Sequence, residues 1–381
     1  MMANHTSERG LSVVVPSWNG RALLEKFLSG VVAAAAAFEA ACRAPTEVLV
    51  ADDASSDDTL AWLVARFPQV RFEASPEASG QGFAPTANRG IAAARYRLVY
   101  LVNNDVALEP ASLPPLAAHF EDPCVFAVAS QVYDYTTGVL RGAGQLGEFR
   151  RGFLSIHRRY FVQRSATGDQ RDSSGPVRAE DERKIKGALA PDTPTEPWLT
   201  LYASGGSSMF DREKFLALGG FDELFAPFGW EDVEVSLRAW KHGYEVRYEP
   251  RSAVWHQFSS TIAPQFARRH VRAIYERNRL FAHWLHLDTP TQAAAHVFFL
   301  LLKLLASPFV GRWETWSATA QALARWGAVR ARREKRRAPE SRNFGTGQRA
   351  LRDILAQLVD QLRRAEAQLL TPRTAPVRRH P

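Results

Sequence analysis

Cysteine is scarce in this sequence, with Cys42 and Cys124 as the two examples among 381 residues. Neither has a partner at the spacing of a metal-binding or redox motif, which excludes a disulfide framework and a zinc cluster. The first ten residues, MMANHTSERG, lack the apolar stretch of a secretory signal. We therefore expect a cytoplasmic protein.

Several common enzyme motifs are missing as well. There is no Walker A sequence and no G-x-S-x-G elbow, so the pattern of a P-loop NTPase and that of an α/β-hydrolase are both absent. Gly80-Gln81-Gly82 is followed by Pro85 where a dinucleotide fingerprint requires its third glycine. The chemistry has to come from another arrangement of residues.

The net charge of +8 is concentrated near the end of the sequence. Residues 301–381 carry a net charge of +11, so the residues before them carry about −3. A basic tail on a nearly neutral body points to an anionic partner, either membrane headgroups or nucleic acid. After Trp326 the basic run at 325–337 has no aromatic residue between its charges for stacking bases, so we expect an anionic membrane surface and no nucleic acid.

The first half of the chain alternates apolar strands with helical patterns. This order is typical of βαβ units and predicts an α/β fold with a mostly parallel sheet flanked by helices. The predicted strands are 11–15, 47–51, 70–72, 98–102, 199–202, 245–248 and 253–256, and the predicted helices are 21–41, 86–94, 212–218 and 231–242. Residues 142–197 are polar, charged and interrupted by proline, and we interpret them as an irregular insertion.

Three regions follow from this pattern. Residues 1–10 are predicted to be a disordered N-terminus, 11–285 the catalytic domain, and 286–381 a basic helical C-terminal extension. In the extension, residues 295–310 (AHVFFLLLKLLASPFV) are shorter than the roughly 20 apolar residues of a membrane span. They fit a helix buried against the protein, an interfacial membrane helix or an inserted segment. Residues 351–370 have the heptad-like spacing of an amphipathic packing or pairing helix.

Polar side chains follow three of the predicted strands. The first strand ends in Pro16-Ser17-Trp18-Asn19, the second in Asp52-Asp53, and the strand at 98–102 in Asn103-Asn104-Asp105. Ligands of open parallel sheets bind beyond the carboxyl ends of the strands. Carboxylate and amide oxygens suit a hard cation that bridges a diphosphate. Taken singly, Asp52-Asp53 also fits a helix-capping turn and the Asn103 segment a plain turn.

The sequence resembles the inverting family 2 glycosyltransferases of the GT-A fold. The first block of matching motifs is SVVVPSWNG, EVLVADDASSDDT, GQGFAPTANRGI and LVYLVNNDVAL. The second is ASGGSSMFDREKFLALGGFDELFAPFGWEDVEVSLRAWKHGYEVRYEPRSAVWH. The similarity is greatest to bacterial enzymes of cell-surface polysaccharide synthesis, including rhamnosyltransferases.

The resemblance implies a donor site with a divalent metal. Pro16, Ser17, Trp18 and Asn104 would line the nucleotide pocket, and Asp53 would bind the pyrimidine base. Asp105, at the last position of the family's DXD motif, would bind Mg²⁺ or Mn²⁺ held by the donor diphosphate. His256 would complete the coordination, although a histidine after an apolar pair also fits a structural hydrogen bond. The sequence departs from the full motif at Asn103, which adds no negative charge.

The same resemblance places the catalytic base in the pair Glu231-Asp232. An inverting transfer needs a carboxylate to take the proton of the acceptor hydroxyl, and we assign that role to Asp232. Acidic residues at a helix start also complement the helix dipole, which is the alternative reading. Trp230 would form an apolar wall for a sugar ring, and Gly205 and Gly206 would either let the backbone approach the donor or make sharp turns.

These features predict an inverting hexosyl- or deoxyhexosyltransferase for cell-surface polysaccharide or glycolipid synthesis. A nucleotide sugar would be the donor and a saccharide or lipid-linked saccharide the acceptor, at the inner face of the membrane. A sugar-nucleotide pyrophosphorylase would need a phosphate loop rich in glycine and arginine after the first strand, which PSWNG does not supply. A non-catalytic sugar-nucleotide-binding protein with a degenerate site is the remaining alternative.

Overall fold

A ten-stranded mixed sheet forms the centre of the computed structural model, which describes residues 8–142, 144–157, 198–258, 267–337 and 349–370. Its strands are β1 (Glu8–Ser17), β2 (Thr46–Asp52), β3 (Arg71–Glu73), β4 (Tyr96–Val102), β5 (Val106–Leu108), β6 (Val125–Asp134), β7 (Leu140–Gly142), β10 (Trp198–Leu199), β11 (Ser207–Asp211) and β12 (Glu245–His256). The order is β10-β12-β6-β11-β4-β1-β2-β3, with β5 paired to β12 and β7 to β6. Strands β8 (Leu146–Arg150) and β9 (Phe153–His157) form a separate hairpin.

Helices cover both faces of this sheet. They are α1 (Arg21–Cys42), α2 (Thr59–Arg66), α3 (Phe83–Ala93), α4 (Pro114–Ala117), α5 (Arg212–Ala217), α6 (Glu231–Lys241), α7 (Arg268–His286), α8 (Pro290–Ala306), α9 (Glu314–Ala324), α10 (Trp326–Arg337) and α11 (Leu351–Leu370). Strands β1, β2, β3 and β4 are mutually parallel, so their carboxyl ends meet at one edge. Strand β11 runs antiparallel between β4 and β6.

The alternation of side chains in β1 explains why both faces are covered. Val13 and Val15 belong to the apolar cluster beneath α1, whereas Val14 belongs to the cluster beneath α3. Successive strand residues point to opposite faces, and all three valines are buried. A continuous apolar run of β-branched residues is typical of such a strand.

Several element boundaries differ from the predicted ones. Strand β1 begins at Glu8, inside the segment predicted to be disordered, while residues 1–7 lie outside the described part of the chain. The two strands predicted at 245–248 and 253–256 form the single strand β12, whose pairing with β6 shifts register between Glu249 and Ala253. This irregularity within β12 therefore made one strand look like two in the sequence pattern.

The predicted irregular insertion contains a hairpin. Strands β8 and β9 pair from Leu146↔His157 to Arg150↔Phe153, so the prediction was wrong for this part of 142–197. The physical reason is that Leu146 and Leu154 contribute to the main apolar cluster, which stabilises two short strands with polar neighbours. Residues 158–197, the remainder of the insertion, lie outside the described residues.

Helix α11 completes the core of the catalytic body. Leu351, Ile354, Leu355 and Leu358 are buried in the same cluster as Trp240, which confirms the prediction of an amphipathic packing helix. The Leu351 amide also donates to Asp288 at 2.7 Å. The C-terminal extension is thus part of the catalytic body's packing.

The basic run of α10 faces the protein more than the sequence suggested. Arg332 binds Asp222 at 2.8 Å, and Arg336 lies 3.1 Å from Asp222 and 2.9 Å from Glu234. Arg333 donates to the carbonyl groups of residues 284 and 287. These three guanidinium groups are therefore occupied within the fold.

Helix α8 exposes the apolar side chains of the segment at 295–310. Of its own residues, His296 and Leu304 are buried, so the interpretation as a buried helix was wrong. The exposed set, which we call the apolar surface, comprises Val297, Phe298, Leu301, Leu302, Leu305, Phe309, Val310, Trp313 and Trp316. Among the described helices, none is both long enough and apolar enough to cross a membrane.

Candidate active site

The carboxyl ends of β1, β2 and β4 form one wall of a cleft of about 1130 Å³, and the loop before α6 and the first turns of α7 form the other. All residues predicted for the site line this cleft: Pro16, Ser17, Trp18, Asp53, Asn104, Asp105, Gly205, Gly206, Trp230, Glu231, Asp232 and His256. The fold therefore brings together residues that are up to 240 positions apart in the sequence.

The two carboxylates after β2 have different surroundings. Asp52 accepts from the Ser55 amide at 2.9 Å, as a turn-forming residue does. Asp53 faces the cleft and accepts from the backbone amides of Gln81 and Gly82, each at 2.8 Å. Asp53 thus holds the loop before α3 against the sheet edge, and each of its oxygens retains a lone pair for a ligand.

The turn after β4 is locked to two neighbouring segments. Asn104 Nδ2 donates to Ser17 Oγ at 3.1 Å, and the Asn103 amide donates to the Gly206 carbonyl at 3.1 Å. A Cβ atom on Gly206 would lie 2.6 Å from the Asn103 side chain, so this position requires glycine. Of the two predicted roles, turn formation is the one visible in the fold, since Gly205 and Gly206 form a turn in which the Ser207 amide donates to the Ser204 carbonyl at 3.3 Å.

Asp105 and His256 lie side by side at the edge of the cleft. Pairing of β5 with β12 brings them together, and His256 Nε2 is 2.9 Å from Asp105 Oδ1. Despite this contact, Asp105 Oδ1 is buried and receives no hydrogen bond from the described residues. A buried carboxylate oxygen without a donor, next to an imidazole nitrogen, is suited to a divalent cation. Within the described ranges, no group of three or more His, Cys, Asp or Glu side chains surrounds a common point.

Glu231 and Asp232 form a carboxylate pair at the start of α6. Burial raises the pKa of both groups, and the neighbouring Asp232 charge raises that of Glu231 further. Asp232 is partly exposed in the cleft, with Oδ1 2.8 Å from the Val233 amide and Oδ2 3.4 Å from the Gly205 amide. Glu231 is 7% exposed, and its Oε2 makes no hydrogen bond in the part of the chain described. Nearby backbone amides lower both pKa values, as a role at a helix start requires, but burial outweighs them.

The loop before this pair is held by α7. The buried Asn278 side chain donates from Nδ2 to the carbonyls of Phe225 at 2.6 Å, Phe228 at 2.9 Å and Gly229 at 2.9 Å. Gly229 has φ 90°, and a Cβ atom there would lie 2.7 Å from the Tyr275 ring. The side chain of one asparagine thereby fixes the approach of the loop to Glu231.

Sequence reasoning missed the contribution of α7. Tyr275 lines the cleft, and its pKa is raised to about 12 by burial and by the charges of Glu231 and Asp232. Asn278 sits in the stretch ERNRLF, where polar residues interrupt the apolar face of a helix. A buried polar residue in such a position requires specific partners, which is the signal that could have identified it.

A buried ionic network lies directly beneath the carboxylate pair. Glu234, on the next turn of α6, contacts Arg238 at 2.7 Å, His286 at 3.1 Å and Arg336 at 2.9 Å. Burial alone would raise the pKa of Glu234, but the Arg238 and Arg336 charges outweigh it and hold that pKa well below its usual range. Burial also lowers the pKa of His286 to about 4. The network joins α6, α7 and α10.

Comparison with known families finds two matches along this chain. The profile described as Glycosyl transferase family 2 matches residues 12–216, which contain the strand-end residues of the cleft. The profile described as N-terminal domain of galactosyltransferase matches residues 199–257, which contain the carboxylate pair and His256. Together they cover both walls of the cleft.

Individual relatives are glycosyltransferases. The N-acetylglucosaminyl-diphospho-decaprenol L-rhamnosyltransferase of Mycobacterium tuberculosis is 26% identical over 272 residues, covering 65% of this chain and 75% of the relative. Among solved structures, S. aureus TarS 1-349 in complex with UDP-GlcNAc has a TM-score of 0.50 and 14% identity, covering 93% of this chain and 92% of TarS. GalNAc-T7 with UDP, GalNAc and Mn²⁺ has a TM-score of 0.50 and 16% identity, and the match covers 74% of this chain and 49% of GalNAc-T7. These likenesses confirm the GT-A fold with C-terminal helices.

The raised pKa of Glu231 predicts that this carboxylate destabilises the protein at high pH. Between its ordinary pKa and the raised one, the unfolded chain releases a proton that the folded protein retains, so the free energy of unfolding falls as pH rises. Glu231→Gln should raise Tm at pH 8.5 by roughly 1–2 °C, because about 1 kcal/mol shifts Tm by about 2–4 °C in a domain of 150–250 residues and by less in a chain of 381 residues. The gain should shrink at pH 5.

The measurement is thermal unfolding by circular dichroism in a chelator without ligand. The exposed Glu223 is a matched control, and Glu223→Gln should leave Tm unchanged at both pH values. If Glu231→Gln raises Tm by as much at pH 5 as at pH 8.5, the cost of burying Glu231 does not come from its ionised form.

Proposed function

Because this chain belongs to glycosyl transferase family 2, we propose that its cleft transfers a sugar with inversion from a nucleoside diphosphate to a lipid-linked saccharide at a membrane surface. The observation that carries the proposal is the placement of Asp232, a partly exposed carboxylate with a raised pKa, in the same cleft as Asp105 and His256. One wall fits the donor, and the other holds a base for the acceptor.

The donor nucleotide is assigned to the ends of β1, β2 and β4. Pro16, Ser17 and Trp18 provide an apolar and aromatic wall, and Asp53 offers its remaining lone pairs to the amide and amino groups of a base. Asn104 is fixed by its contact with Ser17. The pocket is therefore held in shape before the donor arrives, which reduces the ordering cost of binding.

Asp232 is assigned as the general base because both members of the pair line the cleft and Asp232 is the more exposed of the two. The acceptor oxygen attacks the anomeric carbon opposite the diphosphate, and its proton passes to Asp232. The bond from the anomeric carbon to the leaving oxygen breaks, and its electron pair goes to the nucleoside diphosphate. A raised pKa brings the base closer to the working pH, which favours proton transfer. Glu231, more deeply buried, is assigned a supporting role in setting the charge of the pair.

A divalent cation, Mg²⁺ or Mn²⁺, fits beside Asp105 and His256. These residues supply one carboxylate oxygen and one imidazole nitrogen, and the donor diphosphate would supply further oxygen ligands. When bound, such a cation offsets the negative charge that develops on the leaving diphosphate. Asn103 contributes an amide oxygen at most, so this chain relies on fewer charged ligands than a DXD motif with both acids.

The apolar surface of α8 and the turn after it supports placement on a membrane. Phe309 is 91% exposed and Leu305 65% exposed, and the two tryptophans of the set, Trp313 and Trp316, are exposed as well. Trp316 is tied to α8, since its Nε1 donates to the Leu304 carbonyl at 3.1 Å. Contiguous exposed apolar side chains rimmed by tryptophan are typical of interfacial membrane contact. We assign this contact to the inner face of the cell membrane, where sugar nucleotides are found.

Glycosyl transfer is tested by a screen of dTDP-rhamnose, UDP-sugars and GDP-sugars with lipid-linked acceptors, measuring the nucleoside diphosphate released. Asp232→Asn should lower turnover by roughly 10²–10⁴-fold while donor affinity is retained, since it preserves shape but cannot accept the proton. The matched control is Asp353→Asn, an exposed aspartate on α11. Near-full activity of Asp232→Asn would assign the base to another residue, and donor binding without turnover would favour a non-catalytic binding protein.

The metal assignment predicts that substitution of Asp105 weakens donor binding mainly when the metal is present. Asp105→Ala should weaken donor binding by at least tenfold in Mn²⁺ and by far less in a chelator, because only the metal-dependent part involves Asp105. Isothermal titration in both buffers provides the comparison, with His256→Ala as a second variant. Equal donor affinity of the unmutated protein with and without metal would remove the cation from the site.

The membrane assignment predicts binding to liposomes through apolar contact. Leu305→Ser with Val310→Ser should weaken co-sedimentation at least tenfold, since burying one such side chain contributes about 1.5–3 kcal/mol. Leu60→Ser with Val64→Ser removes the same side chains from exposed positions on α2 and should change nothing. Binding should depend only modestly on salt, because three arginines of α10 are engaged internally. A protein that never sediments with liposomes would contradict the assignment.

A further inference from the structure

We infer that Arg268 and Arg272 form a binding site for the diphosphate group of the lipid-linked acceptor. Both guanidinium groups line the cleft, and both side chains are exposed. They lie one turn apart at i and i+4 on α7, so they project from the same face of the helix. Within the described part of the chain, neither makes a hydrogen bond or an ion pair.

The charges of the cleft make this pair distinctive. Its other ionisable lining residues are Asp53, Asp105, Tyr202, Glu231, Asp232, His256 and Tyr275, and Arg268 and Arg272 are the arginines among the described lining residues. Like charges one turn apart repel, at a cost of about a few tenths of a kcal/mol, and neither arginine forms an ion pair with a carboxylate of the described residues. A bound anion would satisfy both groups. Two planar guanidinium forks match the oxygens of two linked phosphates.

The position along α7 selects the acceptor rather than the donor as the source of the diphosphate. The donor site lies on the opposite wall, at Asp105 and His256. One turn beyond Arg272 the same face of α7 carries Glu276, which pairs with Lys303 of α8 at 2.6 Å and with Arg312 at 3.6 Å. Lys303 and Arg312 are themselves within the segment that presents the apolar surface.

One face of α7 therefore joins the cleft to the apolar surface. Residues 268 to 276 span about 12 Å along the helix axis at 1.5 Å per residue. A polyprenyl diphosphate sugar would place its chain on the apolar surface, its phosphates on Arg268 and Arg272, and its sugar near Asp232. This inference rests on the proposed use of a lipid-linked acceptor.

The experiment measures binding of geranyl diphosphate and geraniol to the full chain by isothermal titration. UDP, dTDP and GDP are titrated separately, and the one that binds is then added in excess to fill the donor site. The protein should bind geranyl diphosphate at least tenfold more tightly than geraniol, and Arg268→Gln with Arg272→Gln should abolish the difference. Arg269→Gln is the matched control, because Arg269 is exposed on the same helix but does not line the cleft.

Each other outcome would overturn the site. Equal binding of geranyl diphosphate and geraniol by the unmutated protein would show that the phosphates are not recognised. Weaker binding of the nucleoside diphosphate by the double variant, with geranyl diphosphate unaffected, would assign the arginines to the donor. If Arg269→Gln weakens the binding of geranyl diphosphate as much as the double variant does, the effect is one of overall charge and not of a specific site.

Failure of this site and failure of the proposed function give different results. If the unmutated enzyme glycosylates a lipid-linked acceptor and the double variant does so with an unchanged KM, the function stands and the site is wrong. If the enzyme uses only acceptors that carry no lipid, yet the arginine-dependent binding of geranyl diphosphate persists, the lipid-linked acceptor is wrong and the anion site stands.

Discussion

The buried carboxylate of Glu234 is the contact on which the other parts of the site depend. Its partners are Arg238 on α6, His286 at the end of α7 and Arg336 on α10. Breaking a buried ion pair by removing one partner typically costs 3–5 kcal/mol, because the other charge remains without compensation. The network thus fixes three helices relative to one another, and two of them, α6 and α7, contribute to the same wall of the cleft.

This arrangement explains how the protein holds two carboxyl groups in surroundings that disfavour the charged form of each. Burial raises the pKa of Glu231 and of the partly exposed Asp232, and the Asp232 charge raises that of Glu231 further. Immediately below, Glu234 is paired with Arg238 and Arg336, which hold its pKa well below the usual range. Immediately before the pair, Asn278 holds the loop at Phe225, Phe228 and Gly229. These surrounding contacts hold Glu231 and Asp232 in place although the burial of their charges is unfavourable. Proteins commonly tolerate such local cost at sites that perform chemistry.

Much of this fold follows from local sequence pattern. The valines of β1 and the acidic and amide residues after β1, β2 and β4 predicted the sheet edge and the cleft wall, because parallel strands end on the same side. Local pattern alone did not distinguish Asp52 from Asp53, and Asp53 was chosen for the site only from the family resemblance. The contact that separates the two is made by the distant loop at Gln81.

Other features depend on contacts between distant residues. The hairpin at 146–157 is stabilised by the core that α11 completes, and its own residues carry only a weak alternating pattern. For α8, hydropathy alone could not distinguish a buried face from an exposed one, because both require the same apolar residues. Arg332 and Arg336 resembled a surface patch in the sequence, but Asp222 and Glu234, about 100 residues earlier, bind them.

The position of α11 also bears on how the chain folds during synthesis. Domains generally fold as units, starting from the N-terminal side as the chain emerges. Here the cluster around Trp240 stays open on one side until Leu351, Ile354 and Leu358 have been made, although the strands it covers are complete by His256. The nascent protein therefore passes through a stage in which the sheet is present and an apolar groove on it is uncovered. Chaperones that bind exposed apolar chain would compete with α11 for that groove until the helix arrives.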